Sequence, residues 1–557
     1  MTRYLPFLGA LFLLICDGAT RSCAEDLSFA GEVTRQLNDV TKGDSSGLAV
    51  LVARDGKVVF QGGFGLADIA NKTPITPETK FRIGSTTKQF TAAAVLRLAE
   101  QGRLTLDDSL AKHFPEFAHH SGVTVRHLLT HTSGLHSYTE KPEIFSRVIK
   151  PIEPEKLIAW FQNDPPDFAP GAGFHYSNSA YFLLGEMVAR VSGKPFADYL
   201  RETFFEPLEM KDTGIYVNSS PPPGMAIGYS FKDEKFAPAL DWDMSWAGGA
   251  GALYSTVGDL FRWNEALFGG RVVNEASFKA ATTPVELPAN VDGMTMKYGY
   301  GLMMYDIKRL PAIGHSGGLH GWLSDLVRLP KQHCTIVVLA NAALPQPAEL
   351  IPQIITRSLA EKLLAEEIKA LPPKTEDKTV DPKTFTAYAG RYDYQAAIMT
   401  VSVEGEGLMA QLTGQPKNRI FPRAKDEFFW KEVDAEVAFV RDEKGEVIAA
   451  RHTQGAIAFT AKKLGEDAVK LAPEQLDSFL GQYQYGPGAV LTVSRDDAQL
   501  FAQLTGQPKF PIFPKSETEF EWRVVKATVQ FVKGEDGKVT KVIHRQGEGK
   551  IDAPKIK

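Results

Sequence analysis

At 557 residues the chain is long enough for more than one domain, and 43 % hydrophobic with 23 % charged residues is the balance of an ordinary globular protein. That composition excludes a largely disordered chain, a collagen-like repeat and a multi-pass membrane protein. A net charge of -5, from 62 basic and 67 acidic residues without a long Lys/Arg run, leaves no basic footprint for nucleic acid or anionic lipid.

The first element is apolar. Arg3 precedes Leu5 to Ile15, a run too short to span a bilayer, and Ser22-Cys23-Ala24 offers small residues for cleavage before Glu25. Residues 1–24 therefore read as a secretory signal peptide. The expected location is secreted or periplasmic, with no membrane span once the segment is removed. Leu13-Leu14-Ile15-Cys16 approaches a lipoprotein box, but Ile15 is bulky for the residue before a lipidated cysteine. Cleavage leaves Cys334 alone, so no internal disulfide can form, and its apolar surroundings (HCTIVVLAN) mark it as a core residue.

Two strands follow, Gly47 to Ala53 and Lys57 to Phe60, around the hairpin signal Arg54-Asp55-Gly56. A second strand group is expected at Ser324 to Leu329 and Thr335 to Ala340, with helices and loops between the two groups. Ala348 to Leu371 carries Leu350, Ile354, Ile355, Leu359 and Leu363 at helical spacing and reads as one amphipathic helix. Strands at both ends with helices between predict an α/β (α+β) domain over 25–371. In it one antiparallel sheet is closed by its termini and flanked by helices, with a helical insertion.

Pro372 to Pro382 is charged and proline-bounded and reads as a linker. An internal repeat lies beyond it. Ala410 to Lys417 (AQLTGQPK) recurs as Ala502 to Lys509, and the same offset of 92 maps Trp430 to Trp522, Phe439 to Phe531 and His452 to His544. Short alternating runs separated by polar turns predict two all-β antiparallel barrels, over 383–465 and 471–557. His452 and His544 sit inside predicted strands without acidic partners and read as structural or solvent-facing.

Three short motifs carry chemistry. Ser85-Thr86-Thr87-Lys88 opens an apolar helical run that ends at Gln101 before Gly102. A serine at that helix start faces free backbone N–H groups, and a lysine three residues on shares its face and can activate it. Ser109 and Lys112 have the same spacing, but Pro115 cuts that segment short. Tyr176-Ser177-Asn178 precedes an apolar helix. A tyrosine near Lys88 with a depressed pKa can act as base, and an asparagine amide can hold a carbonyl. Tyr216-Val217-Asn218 repeats the pattern but runs into prolines. Gly314-His315-Ser316-Gly317-Gly318 also fits the Gly-x-Ser-x-Gly nucleophile elbow, yet strands follow it where the elbow needs a helix. His127 and His131 stand four apart without a metal-site pattern, and Gly63-Phe64-Gly65 lacks the third glycine of a nucleotide loop.

In this order, Ser-x-x-Lys, Tyr-x-Asn and His-Ser-Gly resemble the serine β-lactamase and penicillin-binding protein superfamily. The likeness is to its class C-like branch of D,D-peptidases, D-aminopeptidases and family VIII-type esterases. His127 to Leu135, Pro170 to Leu184 and Ala247 to Leu260 look alike too, and the resemblance covers about Leu27 to Leu364. It implies an acylated nucleophile at Ser85 and shared base and acid roles for Lys88 and Tyr176. It also implies substrate contacts from Asn178 and from His315, Ser316 and Gly317 on an edge strand, and an oxyanion hole from the backbone N–H groups of Ser85 and Gly318. His315 stands where many β-lactamases carry a lysine. It would be partly charged near neutrality, able to meet a substrate carboxylate but poorer for β-lactams. The two repeats resemble the lipocalin-like barrels of some D-aminopeptidase-like members, where a barrel restricts access to the site.

The function these readings predict is an exported serine hydrolase of amide or ester bonds that needs no cofactor or metal. Small D-amino-acid peptides such as peptidoglycan fragments are its expected substrates, with esters and β-lactams next. The rival is a penicillin-binding sensor that acylates without turnover.

Overall fold

The computed structural model describes residues 17–556 apart from 42, 233–234, 288–292, 344–350, 396, 414, 456, 466–470, 497–498, 506, 508, 524, 526 and 548. The apolar run Leu5 to Ile15 and Cys16 lie outside the described residues. Among the described residues no helix is long and apolar enough to cross a membrane. The chain divides into two compact units, Met1–Val291 with Thr295–Pro372, and Asp292–Met294 with Pro373–Lys557.

The first unit is built on helix α1 (Asp17–Val40), strands β1 (Leu48–Arg54) and β2 (Lys57–Phe64), helices α2 (Thr87–Glu100), α3 (Asn178–Ser192) and α4 (Val257–Phe268), strands β3 (Met303–Ile307), β4 (Leu310–Leu319), β5 (Trp322–Leu329) and β6 (Cys334–Ala340), and helix α5 (Pro352–Leu363). The strands form one six-stranded sheet in the order β3-β4-β5-β6-β1-β2, antiparallel throughout. The early hairpin thus closes against the late strands, as the sequence predicts. Asp55 (φ 52°) and Gly56 (φ 73°) both take positive φ at its turn, the geometry that matches strand twist.

Both faces of this sheet are covered, which is why β1 is apolar without alternation. Ala49, Leu51 and Ala53 face a core shared with α2, α3 and α4. Leu48, Val50 and Val52 face a second core with Phe29 and Val33 of α1 and Ile355 and Leu359 of α5. Cys334 lies in the second core, fully buried, and burial pushes its thiol up to about 12. The expected helix from Ala348 to Leu371 is shorter. Its described part runs Pro352–Leu363, breaks at Leu364 and resumes over Ala365–Ala370, and Ile354 is exposed.

In the second unit each repeat is an eight-stranded antiparallel barrel. The first runs from Gly390 to Leu464 and closes by pairing Arg391 with Leu464. The second runs from Gly481 to Pro554, and its ends meet at a bridge between Tyr483 and Lys555. An ion pair from Arg523 to Asp393 (2.8 Å) ties one barrel to the other. Residues 372–381 have no helix or strand, but the segment is not a free linker. Lys374 pairs with Asp434 (3.0 Å), and Asp377 N–H donates to the Pro422 carbonyl (2.8 Å). His452 stacks on Trp430 and bonds the Tyr394 hydroxyl (3.2 Å). His544 repeats this with Trp522 and Tyr485 (2.9 Å). Both histidines are half-buried framework groups.

A chain ending at Pro372 is expected to fold and keep a reactive Ser85, because the sheet and both its cores belong to the first unit. Far-UV circular dichroism, a melting curve and active-serine labelling of that fragment check this. An insoluble or unlabelled fragment would make the barrels part of the catalytic fold.

Candidate active site

The predicted helix from Ser85 begins as a single 3-10 turn, Gly84–Thr86, which runs straight into α2. Gly84 has φ +50°, and a Cβ there would stand 2.9 Å from Gly318 N, so only glycine lets β4 come this close to the turn. Thr86 Oγ1 donates to the His315 carbonyl (3.2 Å) and lies 2.9 Å from Ser324 Oγ, which bonds the Ile83 carbonyl (2.8 Å). These buried bonds pin the turn to β4 and β5. The rest of α2 is buried almost all round, with Phe90 stacked on Trp263 at 3.9 Å.

Lys88 is fully buried, and its Nζ has three partners: Ser85 Oγ (3.2 Å), Asn178 Oδ1 (2.8 Å) and the Ala250 carbonyl (2.8 Å). No carboxylate is among them. Burial therefore holds Lys88 well below the ordinary lysine range. A neutral amine has two N–H bonds and one lone pair. The two 2.8 Å carbonyl partners take the hydrogens, and the lone pair is left for the Ser85 hydroxyl proton.

Tyr176 and Asn178 arrive at the start of α3, where Ser177 caps the helix by accepting from Ala180 N–H. Ser177 N–H in turn donates to Nδ1 of buried His131 (3.0 Å). Asn178 Nδ2 donates to Thr139 Oγ1 (3.0 Å), so the amide is spent largely on holding Lys88. The Lys88 ammonium position lies 4.8 Å from the centre of the Tyr176 ring. The expected depressed pKa of Tyr176 is not found. Enclosure of its hydroxyl end raises the phenol, and the neighbouring Ser85 hydroxyl offsets only part of this. Tyr176 is therefore a protonated donor at neutral pH.

His315 also departs from expectation. It is 1 % exposed, and burial, helped by Lys88, lowers it to about 3. Its Nδ1–H donates to the Ser316 carbonyl (2.6 Å), so Nε2 accepts from Tyr298 Oη (2.9 Å) and faces Tyr176 Oη at 3.5 Å. A neutral ring in this tautomer offers no cation to a carboxylate. Ser316 stands opposite Asp325 in the strand register, on the sheet face of the α1 and α5 core, away from His315. Its expected substrate contact therefore lacks the right face. Gly317 serves packing, since a Cβ there would fall 2.0 Å from the Ile83 carbonyl. Strand β4 is second in the sheet, not at its edge, but β3 pairs with it only from Leu310 to Gly314, so His315 to Leu319 form a local edge. A strand at Gly314 to Gly318 also removes the nucleophile-elbow reading.

Ser85, Asn178 and Gly318 line one cavity of about 320 Å³ with Tyr138, Thr139, Trp242, Leu319, His320 and Leu323. Lys88, Tyr176, His315, Ser316 and Gly317 do not line it. Among the described residues no lysine, arginine or carboxylate does either, and burial lowers His320. Tyr298 and Thr139 were invisible as site residues in the sequence, because neither sits in a motif, and Ala250 was covered only by the Ala247 to Leu260 stretch without a role. His131 had two signals, the His127/His131 spacing and the His127 to Leu135 stretch of the resemblance, and its ring lies 4.2 Å from Tyr176 and 4.6 Å from Tyr298. His127 caps the short helix Val125–Leu129.

The family model described as Beta-lactamase matches residues 32–358, and a domain of unknown function, DUF3471, matches 374–464 and 466–553. Penicillin-binding protein 4* of Bacillus subtilis is 27 % identical over 71 % of this chain and 90 % of its own. The D-amino acid amidase of Ochrobactrum anthropi SV3, solved with L-phenylalanine amide, aligns with a TM-score of 0.54 and 25 % identity over 61 % of this chain and 99 % of its own. An octameric penicillin-binding protein homologue from Pyrococcus abyssi shares the fold over 78 % of this chain and 99 % of its own, with a TM-score of 0.53 and 24 % identity. The family match spans the whole sheet and the Ser85–Lys88 turn, and the chain belongs to the beta-lactamase family, as a serine hydrolase of the β-lactamase and penicillin-binding protein type.

Proposed function

We propose that the protein is an exported serine amidohydrolase that forms an acyl-enzyme on Ser85 and acts on D-aminoacyl amides and small D-amino-acid peptides. The observation that carries this reading is Lys88, fully buried and bonded to Ser85 Oγ at 3.2 Å with no counter-ion among the described residues. Ser85 Oγ attacks the carbonyl carbon while its proton passes to the Lys88 lone pair. The Tyr176 phenol, protonated and next to Ser85, gives a proton to the leaving nitrogen. The Ser85 and Gly318 N–H groups receive the oxyanion, and water then opens the ester by the reverse path. Export rests on the apolar start of the sequence.

The D-amino acid amidase neighbour supports the substrate class. The cavity refines it. With no lysine or arginine in its lining and His315 neutral, a terminal carboxylate finds no positive partner. Amides with a blocked or absent carboxylate are favoured over D-Ala-D-Ala peptides and β-lactams. The same uncharged lining favours a second reading, hydrolysis of neutral esters.

The test is turnover by the purified protein on D-phenylalanine amide, a D-Ala-D-Ala peptide, a p-nitrophenyl ester and a chromogenic cephalosporin, with Ser85→Ala as control. We expect amide or ester turnover to exceed the two carboxylated substrates by at least tenfold and Ser85→Ala to lose all of it. Single-event trapping of a fluorescent penicillin without turnover on any substrate would establish the sensor instead.

A further inference from the structure

The first unit contains a second cavity, about 390 Å³, that shares no lining residue with the Ser85 cavity. The two stand on opposite sides of one stretch of chain. Trp242, Ala247, Ala250 and Gly251 line the Ser85 side, and Asp243, Met244, Ser245, Gly248 and Ala252 line the other. Asn218 holds that partition from within the second cavity: its side chain accepts from Met244 N–H (2.8 Å) and donates to the Trp242 carbonyl (2.9 Å). The cavity therefore has a fixed wall.

Its chemistry is one-sided. Phe182, Phe196, Ile215 and Met244 supply an apolar body, and Glu186 and Asp243 are its charged residues, both carboxylates. Among the described residues no lysine, arginine or histidine lines it. Phe182 and Glu186 are one helical turn apart on α3, so the aromatic ring and the carboxylate present a single face. Among the described residues neither Glu186 nor Asp243 makes a close ion pair, although Arg190 is near enough to favour the charged form of Glu186. Arg190, one turn beyond Glu186, is engaged by the His113 carbonyl and Glu116. Asp243 accepts Ser245 N–H with one oxygen and keeps the other. An apolar pocket with carboxylates at its lining matches a ligand with a hydrophobic body and one positive charge.

We propose that this cavity is a second binding site, separate from the Ser85 site, for a hydrophobic primary amine. The body packs against Phe182, Phe196, Ile215 and Met244, and the ammonium is held by Glu186 with Asp243.

The probe is benzylamine, with benzyl alcohol as its uncharged counterpart, titrated by calorimetry into the full chain and into protein first labelled at Ser85 with a phosphonate. Benzylamine should bind both forms saturably and equally, and at least tenfold more tightly than benzyl alcohol. Glu186→Gln should weaken benzylamine by about tenfold, the loss of one charged hydrogen bond, and leave benzyl alcohol unchanged. Ala197→Trp, which puts a ring on an exposed lining position, should block both, and melting curves confirm that each variant is folded. Three results would overturn the proposal: no saturable binding of benzylamine, binding abolished by the Ser85 label, or binding indifferent to both substitutions in folded protein.

Discussion

Lys88→Met should lower the rate of Ser85 acylation by about 10²–10⁴-fold, the usual worth of a positioned general base. The prediction follows from the geometry of one nitrogen. Lys88 Nζ gives its hydrogens to Asn178 Oδ1 and the Ala250 carbonyl, and a thioether can neither make those bonds nor accept the Ser85 proton. In the wild type, acylation should rise with pH as Lys88 loses its proton, at a pH well below the ordinary lysine value. It should then stay level into the alkaline range, because burial keeps the Tyr176 phenol protonated there. Stability carries the same signature. Between the lowered folded pKa and the ordinary value near 10.5, the unfolded chain binds a proton at this lysine that the folded chain does not. Wild-type stability therefore rises with pH across that window, and Lys88→Met should flatten the rise. Phosphonate labelling rates and denaturant melts of both proteins, from neutral pH upward, measure both effects. A variant that labels within tenfold of the wild type would remove Lys88 from the mechanism.

The sequence made the hairpin, the late strands and the Ser85 turn legible for local reasons. Asp55-Gly56 suits positive φ, continuous apolar strands signal a sheet covered on both faces, and an all-round apolar helix can only be buried. The barrels were legible because duplication repeats the same alternation twice. The break at Leu364 was not, since Ile355, Leu359 and Leu363 keep helical spacing right up to it while the backbone turns out of the helix at Leu364 (φ -112°, ψ 27°).

The site divides along the same line. Helix spacing put Ser85 and Lys88 on one face, and the family resemblance added Tyr176 and Asn178, which the structure brings beside Lys88. The charge states of Tyr176 and His315 were misjudged, because charge depends on burial by elements distant in the chain. His131 and Tyr298, from two different segments, pack their rings against Tyr176 and His315. The resemblance implied a substrate contact from Ser316, but strand alternation turns its side chain to the face opposite His315, where it stands across from Asp325. Glycine roles were only partly readable: Gly317 lies in the His-Ser-Gly motif and Gly84 just before Ser-x-x-Lys, but the reason for each is a close approach, Gly317 to the Ile83 carbonyl and Gly84 to Gly318.

His315→Lys should destabilise the fold by about 3–5 kcal/mol at neutral pH, the cost of an uncompensated buried charge. A permanent cation at this position would help carboxylate binding only if the position faced solvent. Here the ring is 1 % exposed and its Nε2 accepts from Tyr298. No carboxylate among the described partners of His315 would receive the new ammonium. The variant should therefore gain no affinity for carboxylated substrates and should lose acylation as its stability falls. The native histidine has its own pH signature. Its folded value is about 3 against an ordinary 6.5, so the unfolded chain binds the extra proton first as pH falls. Stability is lost progressively from about pH 6.5 down towards 3, and buried His131, also lowered, adds to the same slope. His315→Phe removes the titrating group while keeping a ring, and should shallow the acid side of the stability curve even if its neutral-pH stability drops. Denaturant melts from pH 3 to 8 on the three proteins, with inhibition by a carboxylated and a neutral ligand at each pH, carry the test. If His315→Lys matched the wild type in stability and bound the carboxylated ligand more tightly, His315 would be an accessible anion contact and the neutral, enclosed ring would be wrong.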